Sequence, residues 1–177
     1  HAVMMAEHYI DDEDEVLILC GDTPLIKGET LKEMTKIKSE GYAAVVMSAV
    51  EDDPTGYGRI IRDESNDFMR IREQKDASEE EKAIKEINAG MYIINGKLLK
   101  ENLSKLSVNN AQREYYLTDV LEHIKNAGHR IGVYQADKME IMGVNSRLQL
   151  SEAERIMRLD VNKMHMANGV TLIDTNS

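Results

Sequence analysis

Cys20 is the only cysteine among 177 residues. No intramolecular disulfide can form, so the fold needs no oxidising compartment and a cytoplasmic setting is the expectation. Basic residues are also in short supply: 22 Lys and Arg face 32 Asp and Glu, a net charge of −10. No Lys/Arg cluster stands out on any predicted face, so nucleic acid is not an expected partner, because binding it requires phosphates to be neutralised. No run approaches the ~20 apolar residues of a membrane span and no signal-peptide layout is present, so a membrane is not an expected partner either. The five histidines show no zinc-ligand spacing, and no Ser-His-Asp arrangement can be inferred. An acidic protein can still bind an anionic ligand if a cation or a few amides reverse the sign locally, which points toward a metal.

What is present reads as one α/β unit. A chain of this length can bury roughly 70% of its unfolded surface, enough for a core. Val16-Leu17-Ile18-Leu19-Cys20 predicts a buried, parallel-type strand that stops at Gly21-Asp22-Thr23-Pro24. Thr30-x-x-Glu33 reads as a capping box opening a helix that Gly41 ends, and Ala43 to Val50 is a second continuous apolar strand. Arg59–Arg62 and Met69–Arg72 alternate like half-exposed strands around a turn at 64–67, a hairpin hung on the sheet. A charged segment at 77–86, capped by Asp76 or Ser78, precedes a buried strand at Ala89–Ile94. Leu117, Val120, Leu121 and Ile124 share a helical face ending at Gly128, and Ile131–Tyr134 predicts another strand. Ser146-x-x-Gln149 caps a last helix of about twenty residues that Asn168-Gly169 stops, the shape of a connector. Gly169–Asp174 looks like one β-rung of a further structure.

Ligands in open α/β sheets bind at the carboxyl ends of strands, which makes Asp22 a metal-ligand candidate; capping the following turn is its plainer use. Pro54-Thr55-Gly56-Tyr57-Gly58-Arg59 lets backbone approach a flat ligand or a sugar and offers Arg59 as a phosphate partner, against the alternative of an ordinary glycine-rich turn. Glu73 and Lys75 by themselves read as a solvated pair. Asn88 precedes a buried strand and Asn145 precedes the connector, positions where asparagine also serves as turn former or cap. Mg²⁺ takes oxygen ligands and keeps several waters, so the Asp22 carboxylate and the Asn145 carboxamide together could tether it while ligand phosphates complete its shell.

Six blocks occur in one order: Leu19-Cys20-Gly21-Asp22-Thr23-Pro24-Leu25-Ile26, Asp52 through Ile60, Glu73-Gln74-Lys75-Asp76-Ala77, Glu86-Ile87-Asn88-Ala89-Gly90, Asn109 through Asp119, and Gly143 through Leu150. Together they closely resemble the uridylyltransferase domain of the bacterial bifunctional N-acetylglucosamine-1-phosphate uridylyltransferase and glucosamine-1-phosphate N-acetyltransferases. The resemblance implies a Rossmann-like, mostly parallel sheet of the nucleotide-diphospho-sugar transferase type. It also implies uridylyl transfer from UTP to N-acetylglucosamine 1-phosphate, giving UDP-N-acetylglucosamine and pyrophosphate for peptidoglycan and lipopolysaccharide synthesis. By the same resemblance Asp22 and Asn145 would hold Mg²⁺, Gly58, Glu73 and Asn88 would contact the N-acetylglucosamine part, and Gly21 would belong to the substrate site.

The family opens with a glycine-rich segment whose arginine and lysine grip the nucleotide phosphates, and it precedes the His1-Ala2 of this sequence. The expectation is therefore a piece of a longer, homotrimeric protein: residues 1–145 a partial nucleotidyltransferase domain, 146–168 a connector helix, 169–177 the start of a left-handed β-helix. Catalysis by this piece alone is expected to be impaired. A pyrophosphorylase for another sugar 1-phosphate and a non-catalytic sugar-nucleotide binding or assembly module are the competing readings.

Overall fold

The computed structural model describes residues 1–175. The most buried strand is β2 (Ala44–Val50), whose nearly continuous apolar run leaves only Val50 exposed. Successive strand side chains point to opposite faces, and both faces here find a cover. Ala44 and Val46 join Ile60, Tyr92, Leu99 and Leu121 in one core cluster. Val45, Met47 and Ala49 join Met34, Ile87 and Ile93 in the other. The first cluster is closed by α4 (Gly96–Leu103) and α5 (Thr118–Asn126), the second by α2 (Gly28–Ser39). A strand buried on both faces takes apolar residues at nearly every position, which is why β2 reads as a run and not as an alternation; its one polar residue, the buried Ser48, donates its hydroxyl to the Glu86 carboxylate at 2.7 Å.

The sheet order is β4-β3-β5-β2-β6, with β1 also on β5. Here β1 is Glu15–Ile18, β3 Arg59–Arg62, β4 Phe68–Arg72, β5 Glu86–Asn95 and β6 Ile131–Gln135. The α/β class stands, but the sheet is mixed where a mostly parallel one was expected. β1, β2, β3 and β6 do point the same way. β5 runs against them from the middle of the sheet, so β2–β6 is the one parallel pairing among the described residues and β1–β5, β2–β5, β3–β5 and β3–β4 are antiparallel. Period and apolarity identify a buried strand; they carry no information about its direction.

Three local expectations are corrected. β1 is half-exposed instead of buried, with Leu17 43% exposed, because β5 is its only strand neighbour among the described residues. The helix α2 begins before the Thr30 capping box: Lys27 is its N-cap, Thr30 is buried inside, and the Lys27 amide donates to the distant Glu140 carboxylate at 3.2 Å. The charged segment folds as only one turn, α3 (Glu79–Lys82), closed by a Ser78/Glu81 capping box. The hairpin β3–β4 and the last helix α6 (Arg147–Ala167), capped by the Ser146 hydroxyl on the Gln149 amide, follow expectation. Among the described residues no strand forms at Gly169–Asp174, and 176–177 lie outside the description. Helices α1 (Ala2–Ala6) and α4 lie outside the sequence expectations; Asn95 caps α4 through the Leu98 amide at 3.2 Å.

Candidate functional site

β2 occupies one edge of β5 from Glu86 to Ile94, so β1 and β3 must share the other. β1 takes Tyr92 to Asn95 and β3 begins at Ile87, which leaves an opening along β5 between them. Inside it the β2–β5 register slips between Val46 and Ser48, and Gly90 sits at φ 75°, a left-handed conformation that a side chain would strain. The bulge brings Gly90 against the end of β1: the Cys20 thiol donates to the Gly90 carbonyl at 3.4 Å, and a Cβ at Gly90 would lie 3.0 Å from that sulfur. Burial, followed by the charge of Asp22, pushes the Cys20 thiol up.

On one side of the opening the turn after β1 is pinned by Thr23, whose hydroxyl donates to the Cys20 carbonyl at 3.0 Å. The Asp22 carbonyl accepts from the Val144 amide at 2.7 Å, which docks the segment ahead of α6 onto this turn. Asp22 and Asn145, 123 positions apart in sequence, are thereby brought together over Gly143. A Cβ at Gly143 would stand 3.4 Å from the Asn145 amide nitrogen and 3.5 Å from one Asp22 carboxylate oxygen. Both side chains are exposed, and among the described residues the Asp22 carboxylate accepts no protein hydrogen bond. No group of three or more His, Cys, Asp or Glu able to hold a metal occurs among the described residues. The donor set is one carboxylate and one carboxamide, whose oxygen faces inward after a half-turn of the amide, around a cradle without a side chain. That set fits a hard divalent cation that keeps most of its water, and does not fit zinc.

On the other side, Gly58, Glu73 and Asn88 converge. The Asn88 amide donates to the Gly58 carbonyl at 2.8 Å, and a Cβ on Gly58 would come within 3.3 Å of both Glu73 carboxylate oxygens. Glu73 accepts from the Thr118 hydroxyl at 3.1 Å. Burial pushes its carboxyl above the ordinary range, against the pull of the Thr118 bond and with help from the neighbouring Asp119 and Asp76 charges. The Asn88 side chain is fixed by the Gly90 amide at 3.1 Å and the Tyr92 hydroxyl at 2.8 Å. Glu73, Asn88 and Tyr92 form one wall of a cavity of ≈ 370 Å³, and Gln112, Glu114 and Tyr116 form the other; Gly58 packs against Glu73 without lining the cavity. A recess of this size with a half-buried acid, an amide and a phenol is equipped to hydrogen-bond several hydroxyls of a sugar-sized ligand.

Gly21 is exposed in open space and marks no close approach. Arg59 is not available for phosphate: it is 1% exposed, and its guanidinium donates to the Tyr57 carbonyl, to Gln74 at 2.7 Å and to the Lys82 carbonyl at 3.3 Å, fastening the hairpin to α3. Lys75 is exposed. Thr118, Tyr92 and Gly143 escaped the sequence reading, because each matters through a partner far along the chain. A more apolar groove of ≈ 320 Å³ lies between Pro24–Lys27 and the Met157, Val161 and Met164 face of α6, away from these polar groups.

Known proteins resemble this chain in sequence and in fold. The family described as nucleotidyl transferase matches residues 1–141. The bifunctional protein GlmU of Clostridioides difficile is 54% identical over all of this chain and 39% of that protein; its counterpart in Streptococcus mutans is 48% identical with the same coverage. The chain thus spans about two fifths of the length of these curated relatives. A UDP-glucose pyrophosphorylase from Acinetobacter baumannii superposes with a TM-score of 0.66 at 20% identity, over 94% of this chain and 58% of that one. A UTP-bound UGPase from the same organism gives 0.65 at 16%, over 96% and 61%. At those identities the likeness is one of fold.

Proposed function

The chain belongs to the nucleotidyl transferase family, and from that premise we propose that it provides the sugar and metal side of a site that joins UTP to N-acetylglucosamine 1-phosphate, releasing pyrophosphate and UDP-N-acetylglucosamine. The observation that carries the reading is that Glu73, with Gly58 packed against it, and Asn88 line one cavity, while Asp22 and Asn145 meet over Gly143. The GlmU relatives support it across the whole of this chain.

In this reading the sugar phosphate oxygen attacks the α-phosphorus of UTP in line and pyrophosphate departs, with no protein nucleophile. Mg²⁺, when bound by Asp22 and Asn145, supplies charge neutralisation for the attacking and leaving groups. The protein's own residues orient the acceptor. Glu73, held by Thr118, accepts from sugar hydroxyls; Asn88, held by Tyr92 and Gly90, presents its amide; Gly58 leaves the room a side chain would take. Among the described residues no helix is long and apolar enough to cross a membrane. The reading makes the protein a cytoplasmic enzyme of cell-wall precursor synthesis. Residues 1–145 then form the transferase unit and α6 a connector within a longer, homotrimeric protein.

Calorimetric titration of the chain with UDP-N-acetylglucosamine, UDP-N-acetylgalactosamine and UDP-glucose in Mg²⁺ tests the substrate assignment. UDP-N-acetylglucosamine should bind tightest. Equal affinity for UDP-glucose would remove the N-acetylhexosamine reading and favour a pyrophosphorylase for another sugar.

A further inference from the structure

The wall of the cavity opposite Asn88 and Glu73 is a loop, and it is held in an unusual way. Residues 110–114 close on themselves around Asn110: its carboxamide oxygen accepts from the Gln112 and Glu114 amides, both at 3.2 Å, and its nitrogen donates to the Glu114 carbonyl at 2.6 Å. Arg113 at the tip has φ 56°, a conformation that side chains disfavour. Such a self-contained turn needs an external tie to hold a fixed place. Among the described residues, the side-chain hydrogen bonds that join 110–116 to the body both end on Asp76: one carboxylate oxygen accepts from the Ala111 amide at 3.0 Å and the other from the Tyr116 hydroxyl at 3.2 Å. Asp76 is itself locked to the opposite wall, since its amide donates to the Glu73 carbonyl at 3.0 Å.

We propose that Asp76 is a positioning residue for the sugar cavity: it sets the gap between the Glu73 wall and the Tyr116 wall by gripping the 110–116 loop at both its ends. Asp76 stands outside the cavity and acts through Tyr116 and Ala111. A single carboxylate with one oxygen per tie does this with fixed spacing. The Tyr116 hydroxyl remains a donor throughout the physiological range, its pKa pushed up to about 12 by burial first and then by Asp76. The functional half of this inference rests on the sugar-nucleotide reading of the cavity; the latch itself does not.

Two readouts separate them. Arg113 is exposed, so trypsin cleavage after it, followed by mass spectrometry, reports whether the loop is latched with no ligand present. Asp76→Ala should speed that cleavage about tenfold, the change expected when two charge-assisted hydrogen bonds worth at least ~1.4 kcal/mol are lost. Asp76→Asn, which keeps an acceptor for the Ala111 amide and can turn its amide to the Tyr116 hydroxyl, should cleave like the unaltered chain. Calorimetry with UDP-N-acetylglucosamine and Mg²⁺ should then show about tenfold weaker binding for Asp76→Ala and near-normal binding for Asp76→Asn. Unchanged cleavage in Asp76→Ala overturns the latch. Faster cleavage with undiminished binding overturns the positioning role. Latched cleavage in an unaltered chain that binds no UDP-N-acetylglucosamine overturns the sugar reading, and the positioning role with it.

Discussion

Gly58→Ala is the substitution whose effect is fixed most closely by geometry. A Cβ there would stand 3.0 Å from the Ile71 branch methyl and 3.3 Å from both Glu73 carboxylate oxygens. Ile71 is 4% exposed in β4 and packs in the core, so it yields only by moving its neighbours. Overpacking of this kind costs about 1–3 kcal/mol, which for a chain of this size lowers the melting temperature by roughly 4–8 °C at the middle of that range. The second contact acts on the site. Glu73 must back away from the new methyl, and its bond to Thr118 is already 3.1 Å long, so sugar-nucleotide affinity should fall as well. The two effects can be divided. Replacing Ile71 by Leu moves the branch off Cβ and should restore part of the stability of Gly58→Ala while leaving the binding defect. Scanning calorimetry and ligand titration on the three variants read both quantities. A Gly58→Ala chain that melts and binds like the parent would refute the close approach of Gly58 to Glu73.

Burial holds the Glu73 carboxyl above its ordinary 4.5 against the pull of Thr118, so the folded chain keeps this proton more tightly than the unfolded one. Its contribution to stability is complete below 4.5 and drains away as pH rises through the raised value; urea midpoints of the parent should fall relative to Glu73→Gln over that interval, and parallel curves would contradict the burial effect. Gly143→Ala places a methyl at ordinary contact distance from Asn145 and Asp22. It should shift stability by no more than about 0.5 kcal/mol yet weaken Mg²⁺-dependent ligand binding, a separation that combined melting and titration can detect. Asn95→Ala removes the cap on α4 and should cost about 1 kcal/mol in urea unfolding; no loss would mean that the Leu98 amide finds another acceptor.

The parts of this molecule that can be read from the sequence are those written in short range. The β2 run, the hairpin at 59–72, the amphipathic face of α5 and the Ser146 cap of α6 all declare themselves within a few residues. What could not be read depends on partners far away. The direction of β5 is set by the crossovers before and after it, not by its own residues. The start of α2 is decided by Glu140, more than a hundred positions on, which outcompetes a well-formed local capping signal at Thr30. Arg59 stands beside two glycines like a phosphate ligand, but Gln74 and the Lys82 carbonyl take its donors. The site shows the same division. Asp22, Glu73, Asn88 and Asn145 stand in recognisable blocks, whereas Thr118, Gly143 and Asp76 acquire their meaning only when the chain folds them against Glu73, Asp22 and the 110–116 loop.

Asp22 and Asn145 are proposed as the metal half of a sugar-nucleotide site. Titrating UDP-N-acetylglucosamine into the chain in Mg²⁺, then in EDTA, and repeating both with Asp22→Ala tests this directly. Heat of binding is expected in Mg²⁺, abolished by EDTA and absent from Asp22→Ala. Binding of equal strength in EDTA, or in Asp22→Ala, would contradict the proposal, as would the absence of any binding by protein that circular dichroism shows to be folded.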